Sequence, residues 1–393
     1  MNRTPFQLAL VLLIGLVGCR NDPVAVADPL PEEELLPESG TLPDTGILRP
    51  DYMPVPGGPL VCDPTLRPGN PLIWGVNGHP VAPAEAYDFR DDPERLRQQM
   101  RLIKDLGFTH YRVDVQFDVD GTEQGLLSEV AMVAEEFGVT LLPVITVHAS
   151  LIPQDPTEAH EAGRVIATAF VQRYGDRFPV VELGNELDIP AMKGNFVGHV
   201  LDHYRMEDLR RFEAFLRGML GKLRGQVPEV RTIVNASMAH TGFLQYLLDQ
   251  EVPFDIIGWH VYADELGYGT DVEHGGDYAS ALVRLEAMGR EIWVTESNRN
   301  QGSGPGNAFE AEQELWLRRL AAQMHAHPLV KAFFVYELYD EVGQPGDEAY
   351  YGLVHCAGAP EIGRGCRGAL ELKPAYLSAL AWRGVRASAG TTP

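Results

Sequence analysis

From residue 71 onward, hydrophobic and polar positions alternate between two patterns. Short, nearly continuous apolar runs read as strands: PLIWGVN (71–77), THYRVDVQF (109–117), TLLPVITV (140–147), PVVELGNE (179–186), RTIVNAS (231–237), FDIIGWHVY (254–262), EIWVTES (291–297) and KAFFVYEL (331–338). Between them, apolar residues recur at helical spacing. The first such stretch opens at Asp92-Pro93-Glu94, an N-cap residue followed by proline at the first helical position, and continues through Leu96, Met100, Leu102, Ile103 and Leu106. Residues 125–137, 157–174, 206–224, 242–249, 278–288 and 309–325 read the same way, and a last helix is expected over 373–386.

Strands that are almost wholly Val, Ile and Leu belong to a parallel sheet covered on both faces. Eight strand-then-helix units in succession predict a (β/α)8 TIM barrel forming one domain over residues 61–393. The competing arrangement is an open doubly wound sheet. It calls for a glycine-rich turn after the first strand, where WGVNGHPVAP supplies only Gly75 and Gly78.

The N-terminus follows another rule. Met1-Asn2-Arg3 is a short basic start, and Phe6 to Val17 is apolar but too short to cross a bilayer comfortably. Leu16-Val17-Gly18-Cys19 resembles the lipobox of bacterial lipoproteins. That resemblance implies a signal peptide over 1–18, acylation of Cys19 and a place in the bacterial cell envelope, periplasmic or outer-membrane. Several acyl chains on one residue give the stable anchoring that a single chain does not. Residues 20–60 are rich in proline and acid and lack a sustained apolar face, so residues 19–60 are expected to be the lipidated cysteine and an extended tether. Cys356 and Cys366 flank a Gly- and Pro-containing run and are expected to pair, while a bridge from Cys62 to either stays open.

Charge narrows the partners. With 55 acidic and 32 basic residues the chain carries a formal charge of −23. Such a surface repels nucleic acid and anionic polymers and suits a neutral ligand. The chain is expected to act as a monomer without cofactor.

In (β/α)8 barrels the C-terminal strand ends build the site. Here they offer Asn77 and His79; Arg112, Asp114 and Gln116; His148; Asn185-Glu186; Asn235 and Ser237; His260 and Tyr262; Glu296 and Asn298; and Tyr336, Glu337 and Asp340. Glu186 and Glu296 close the fourth and seventh strands, which face each other across part of the mouth. Two opposed carboxyls are what glycoside cleavage needs, one protonating the leaving oxygen and the other acting as nucleophile or base. Their mutual repulsion raises the proton affinity of the less solvated one.

Asn-Glu on strand four, His260-Val261-Tyr262 on strand six and the glutamate of WVTES on strand seven resemble clan A glycoside hydrolases. WGVN and DLGFTHYRVDV look most like the xylosidase-type members of family 39 and their endo-acting bacterial relatives, over roughly residues 70–385. The resemblance implies a retaining hydrolase of β-linked neutral sugars, with an oligo- or polysaccharide substrate. Glu186 is then the acid/base and Glu296 the nucleophile. Asn185 holds the hydroxyl beside the reacting carbon, Tyr262 and Arg112 donate to Glu296, His260 lines the same wall and Tyr336 offers a ring to the sugar. Asn77, His148 and Asn235 are further supporting candidates. The chain departs from the pattern at strand eight, where Tyr336-Glu337 stands in place of tryptophan, which leaves the sugar subsite's floor undefined.

Plainer readings stand beside these. Glu182 is expected to pair with a buried cation or solvent, Arg112 to partner Asp114, and His148 to be a packed or hydrogen-bonded core residue. Asp264-Glu265 reads as a solvated pair. Gly302-Ser303-Gly304-Pro305-Gly306 is broken by proline and makes a poor phosphate cradle, and no His-x-His lies on an early strand, so no metal is expected. The alternative function is an inactive barrel that binds glycans at the envelope. The long tether favours endo action on a polymer.

Overall fold

The computed structural model describes residues 47–48, 72–81, 93–194, 196–263, 278–299, 307–341, 349–357 and 369–379, all within the unit Thr41–Pro393. The expected signal peptide, Cys19, Cys62, Asp92, the pair Asp264-Glu265, the run 302–306, Cys366 and the end of the last helix lie outside the described residues. So does most of the expected tether, apart from Ile47–Leu48, which pairs in parallel with Leu370 and Glu371.

Eight parallel strands follow one another: β1 (Ile73–Gly78), β2 (His110–Phe117), β3 (Thr140–Thr146), β4 (Val180–Leu183), β5 (Arg231–Ser237), β6 (Ile256–Ala263), β7 (Glu291–Arg299) and β8 (Val330–Val335). Each pairs with its neighbour in chain order, and β1 pairs with both β2 and β8, which closes the barrel. The open doubly wound sheet is therefore excluded. Helices α1 (Pro93–Leu106), α2 (Leu127–Glu136), α3 (Pro156–Tyr174), α4 (Met206–Gln226), α5 (Thr241–Asp249), α6 (Tyr278–Ala287) and α7 (Asn307–Ala326) form the outer layer. A further helix begins at Pro374. Beyond the barrel, Val354–Ala357 and Ala369–Leu372 form an antiparallel pair in which the backbone of Cys356 faces Leu370.

Local chemistry accounts for the elements. Asp155 caps α3 by accepting from the backbone N–H of Thr157 and Glu158, and Pro156 occupies the first turn. Between strands and helices lies the main apolar layer, which includes Leu106, Phe108, Phe170, Phe212, Trp259 and Phe333.

A second, smaller apolar cluster fills the barrel's interior: Leu142, Ile233, Ile256, Trp293, Ala332 and Phe334, joined by Ile73 and Val180. It sets the orientation of everything above it. Side chains two apart on a strand share a face, so the inward face runs from Ile73 to Asn77, from Val180 to Glu182, from Ile233 to Asn235 and Ser237, and from Ile256 to Gly258 and His260. A polar floor thus rests directly on the apolar plug.

Candidate active site

The floor is built around Arg112, which is 2% exposed. Its Nε donates to Glu182 Oε2 at 2.6 Å, and Nη1 donates to Asn77 Oδ1 at 2.8 Å and to Glu296 Oε1 at 2.6 Å. Nη2 donates to Asn185 Oδ1 at 2.9 Å. The ends of three strands, β1, β4 and β7, are therefore tied to one guanidinium on β2. Glu182 pairs with a buried cation as its sequence position suggested, and its other oxygen accepts from Asn235 Nδ2 at 2.7 Å and Thr295 Oγ1 at 3.0 Å. Gly258 leaves the room for this, since a Cβ there would stand 2.7 Å from Asn235 Cβ and 3.0 Å from Glu182 Oε1. Asp114 is not the hydrogen-bonded partner of Arg112; its carboxylate lies 2.9 Å from His79 Nδ1 instead.

Two backbone irregularities aim the paired glutamates. β4 ends in a turn where Gly184 has φ 72° and Glu186 has φ 50°, both in the left-handed region that costs a non-glycine residue energy. Asn235 holds that turn from both sides, donating to Gly184 O and accepting from Glu186 N–H, each at 2.9 Å. On β7 the register with β6 shifts, with Trp259 facing Val294 but His260 facing Glu296. This bulge inserts one residue, so Thr295 and Glu296 both reach interior partners, where strict alternation would turn one of them away.

Glu186 and Glu296 now face one another. A carboxylate oxygen of each, together with a ring nitrogen of His260, lies within 4.8 Å of the others. Glu186 Oε1 accepts from Ser237 Oγ at 2.7 Å and pairs with His260 Nδ1 at 2.9 Å. Glu296 Oε2 accepts from Tyr262 Oη at 2.5 Å, while Arg112 holds Oε1. The Glu186 side chain is 27% exposed and that of Glu296 only 7%.

A cavity of about 320 Å³ opens above the pair, at the small end of the ~300–1,000 Å³ usual for ligand pockets. Asn185, Tyr262 and Tyr336 line it with the two glutamates, as do His79, Asp114 and Tyr351. His260 is fully buried and touches both glutamates from behind rather than lining the wall. His148 stands apart: it is exposed, bonds Ser150 Oγ at 2.7 Å and caps a short helical turn, neither packed in the core nor on the cavity wall. Ser237 stood among the strand-end residues the sequence offered but without a role, and Tyr351 lies beyond those strand ends.

The charges interlock. Burial pushes the Glu182 carboxyl up, but Arg112 and His260 outweigh it and hold it at about 2. Burial lowers His260, while Glu296, Glu182 and Glu186 together raise it to about 10, so the ring is an imidazolium near neutrality. For Glu296, burial outweighs the pull of His260 and Arg112 and leaves it raised. For Glu186, burial is outweighed by the hydrogen bonds from His260 and Ser237, which leave it lowered. Glu182, Glu186 and Glu296 are thus three carboxyls facing two cations. The upper two repel one another, so protonating either favours the anion of the other.

A second group sits beside the cavity. His79 Nε2 lies 3.2 Å from Glu337 Oε2, 3.9 Å from Glu341 Oε1 and 3.2 Å from Tyr336 Oη. Burial first, and Glu341 next, push the Glu337 carboxyl up to about 8.

No protein-family model matches the sequence, and no curated protein does. Solved structures do resemble the fold. A family 39 glycoside hydrolase from the gut symbiont Bacteroides cellulosilyticus WH2 aligns at 17% identity and TM-score 0.57 over 79% of this chain, which spans 63% of that chain's length. A β-glycosidase aligns at 14% identity and TM-score 0.55, over 83% of this chain and 98% of its own. A β-glucosidase from Thermotoga maritima, solved with castanospermine, aligns at 12% identity and TM-score 0.55, over 82% and 99%. At these identities the likeness establishes a shared barrel fold.

Proposed function

We propose that this barrel is a retaining glycoside hydrolase acting on β-linked neutral sugars, with Glu186 as acid/base and Glu296 as nucleophile. The observation that carries the reading is the pair itself: carboxylate oxygens of Glu186 and Glu296 within 4.8 Å across a cavity. Retaining enzymes hold their carboxyls ~5–5.5 Å apart, whereas inverting ones leave ~6.5–9.5 Å for a water. The β-glycosidases of similar fold support the β-linkage.

The roles follow from what each carboxyl can reach. Glu296 has both oxygens fixed by donors that favour its anion, Arg112 and Tyr262, as a nucleophile requires. Glu186 keeps its second oxygen for the leaving group. In the empty site burial leaves Glu296 raised, while the hydrogen bonds from His260 and Ser237 leave Glu186 lowered. A bound sugar strips water from the more exposed Glu186, and desolvation favours a neutral carboxyl there. The imidazolium of His260 stands 2.9 Å from Glu186 Oε1 and stabilises that carboxylate after the proton has left.

Asn185, on the cavity wall and oriented by Arg112, is placed to hold a hydroxyl of the reacting sugar. Tyr336 and Tyr351 offer ring surface. The N-terminal lipobox-like stretch supports an envelope location on a lipid anchor, and the acidic, proline-rich tether supports a polymeric substrate.

The test is hydrolysis of a panel of neutral β-linked oligo- and polysaccharides by the wild type beside Glu186→Gln and Glu296→Gln. Turnover by the wild type, lowered about 10²–10⁴-fold by the first substitution and on the order of 10⁴-fold or more by the second, supports the reading. Undiminished glycan binding with no turnover in any of the three makes the protein a binder and refutes it.

A further inference from the structure

The ends of β4 and β5 hold one another in both directions. From β5, Asn235 reaches the β4 turn, donating to Gly184 O and accepting from Glu186 N–H. From the β4 side, Asp188 reaches back. Its Oδ2 accepts from Ser237 N–H at 3.1 Å and lies 2.5 Å from His240 Nδ1. Asp188 is fully buried and opens the helical turn Asp188–Ala191, just beyond Glu186. Ser237 completes the circuit, since its Oγ donates to Glu186 Oε1 at 2.7 Å.

We propose that Asp188 is a positioning residue for the general acid, a role that rests on the hydrolase reading of Glu186. It holds the Ser237 backbone, and the Ser237 hydroxyl in turn sets the Glu186 carboxyl so that its proton sits on Oε2, the oxygen left for the departing group.

The contacts on Glu186 divide its two oxygens. Oε1 meets both Ser237 Oγ and His260 Nδ1. An oxygen that already faces two donors is a poor place for a third proton, so the proton to be given away belongs on the other. His260 is held among Glu182, Glu186 and Glu296. The Ser237 hydroxyl has less to hold it. It is a rotor on the last residue of β5, and Met238 directly after it has φ 50°, in the left-handed region. That turn is secured by Met238 N–H donating to His260 O at 2.8 Å and by Asp188 on the Ser237 N–H. Without Asp188 the buried Ser237 N–H has no acceptor, and a buried donor left unmet is expensive enough to shift the turn that bears it.

A purely structural Asp188 would tie two turns together and do no more. The two roles part at the leaving group. A general acid matters most when the departing oxygen is strongly basic, and hardly at all when it leaves readily as an anion. Loss of folding alone lowers the rate on both kinds of substrate alike.

The test compares phenyl with dinitrophenyl β-glycosides of neutral mono- and oligosaccharides, read as kcat/KM, which covers the steps through the first displacement. Asp188→Ala should lose about 10–100-fold on the phenyl substrates and less than about 3-fold on the dinitrophenyl ones, and Ser237→Ala should show the same split. Asp188→Asn, nearly isosteric, should show a smaller split of the same sign, and it decides the matter if Asp188→Ala does not fold. Added to Ser237→Ala, it should cost less than about 2-fold more, because residues acting along one chain of contacts are not additive. Equal losses on the two leaving groups, or an Asp188 effect undiminished in the Ser237→Ala background, overturn the assignment and leave the hydrolase reading standing. A folded wild type that cleaves none of these glycosides defeats the hydrolase reading, and the role of Asp188 falls with it.

Discussion

Arg112 Nη1 donates to Glu296 Oε1 at 2.6 Å, while Nε of the same guanidinium donates to Glu182 at the same distance. One buried cation thus serves the barrel floor and the reacting carboxylate together. Replacing it by Met leaves two buried carboxylates without their cation and is expected to destabilise the fold by about 3–5 kcal/mol. Arg112→Lys retains a charge but cannot reach four partners in one plane. It should recover part of that stability in urea denaturation and little of the activity. A Lys variant with full activity would show that the fork geometry is unimportant.

Tyr262 acts on the same carboxylate from the other side, with its hydroxyl 2.5 Å from Glu296 Oε2. Tyr262→Phe removes a donor to a charged acceptor, worth ~1.5–3 kcal/mol, so stability should fall by that order, and kcat/KM should fall about 10–100-fold where the bond also supports the nucleophile. That hydrogen bond favours the anion. Its loss raises the proton affinity of Glu296, and the acid limb of the pH–rate profile should move to higher pH. A limb that stays in place or moves down would contradict the role given to Tyr262.

His260 couples the site to stability at alkaline pH. Its ring is held at about 10 by the surrounding glutamates, against ~6.5 in an unfolded chain. A raised value favours folding while the ring is protonated. This contribution is complete below ~6.5 and disappears as pH rises through about 10. The wild type should therefore lose melting temperature between pH 7 and 10.5 more steeply than His260→Gln, since His79 and other titrating groups contribute to both. Parallel curves for the two proteins would show that His260 is neutral in the fold.

How much the sequence reveals depends on how far a side chain's direction follows from local rules. The barrel was legible because each strand is a continuous apolar run, and Glu186 and Glu296 were legible because each closes one of those runs. What gathers them was not. The bulge on β7 that lets Thr295 and Glu296 both reach the interior is a register shift between two strands, and WVTES carries no sign of it. Arg112 and Asp114 sit two apart on one face and read as partners, yet closure of the barrel brings Glu182 to the first and His79 to the second. His148 follows a strand like its counterparts, but the chain turns at once into a helical turn and carries the ring outside. The His79–Glu337–Glu341 cluster joins the first and last strands, so no short spacing could announce it.

The most direct measurement is proton NMR of the first sugar released from a β-linked substrate, recorded before mutarotation. Two displacements, the first by Glu296, return the β anomer. An α anomer as first product would mean that water attacks directly with one carboxylate as its base, and the nucleophilic role of Glu296 would be wrong.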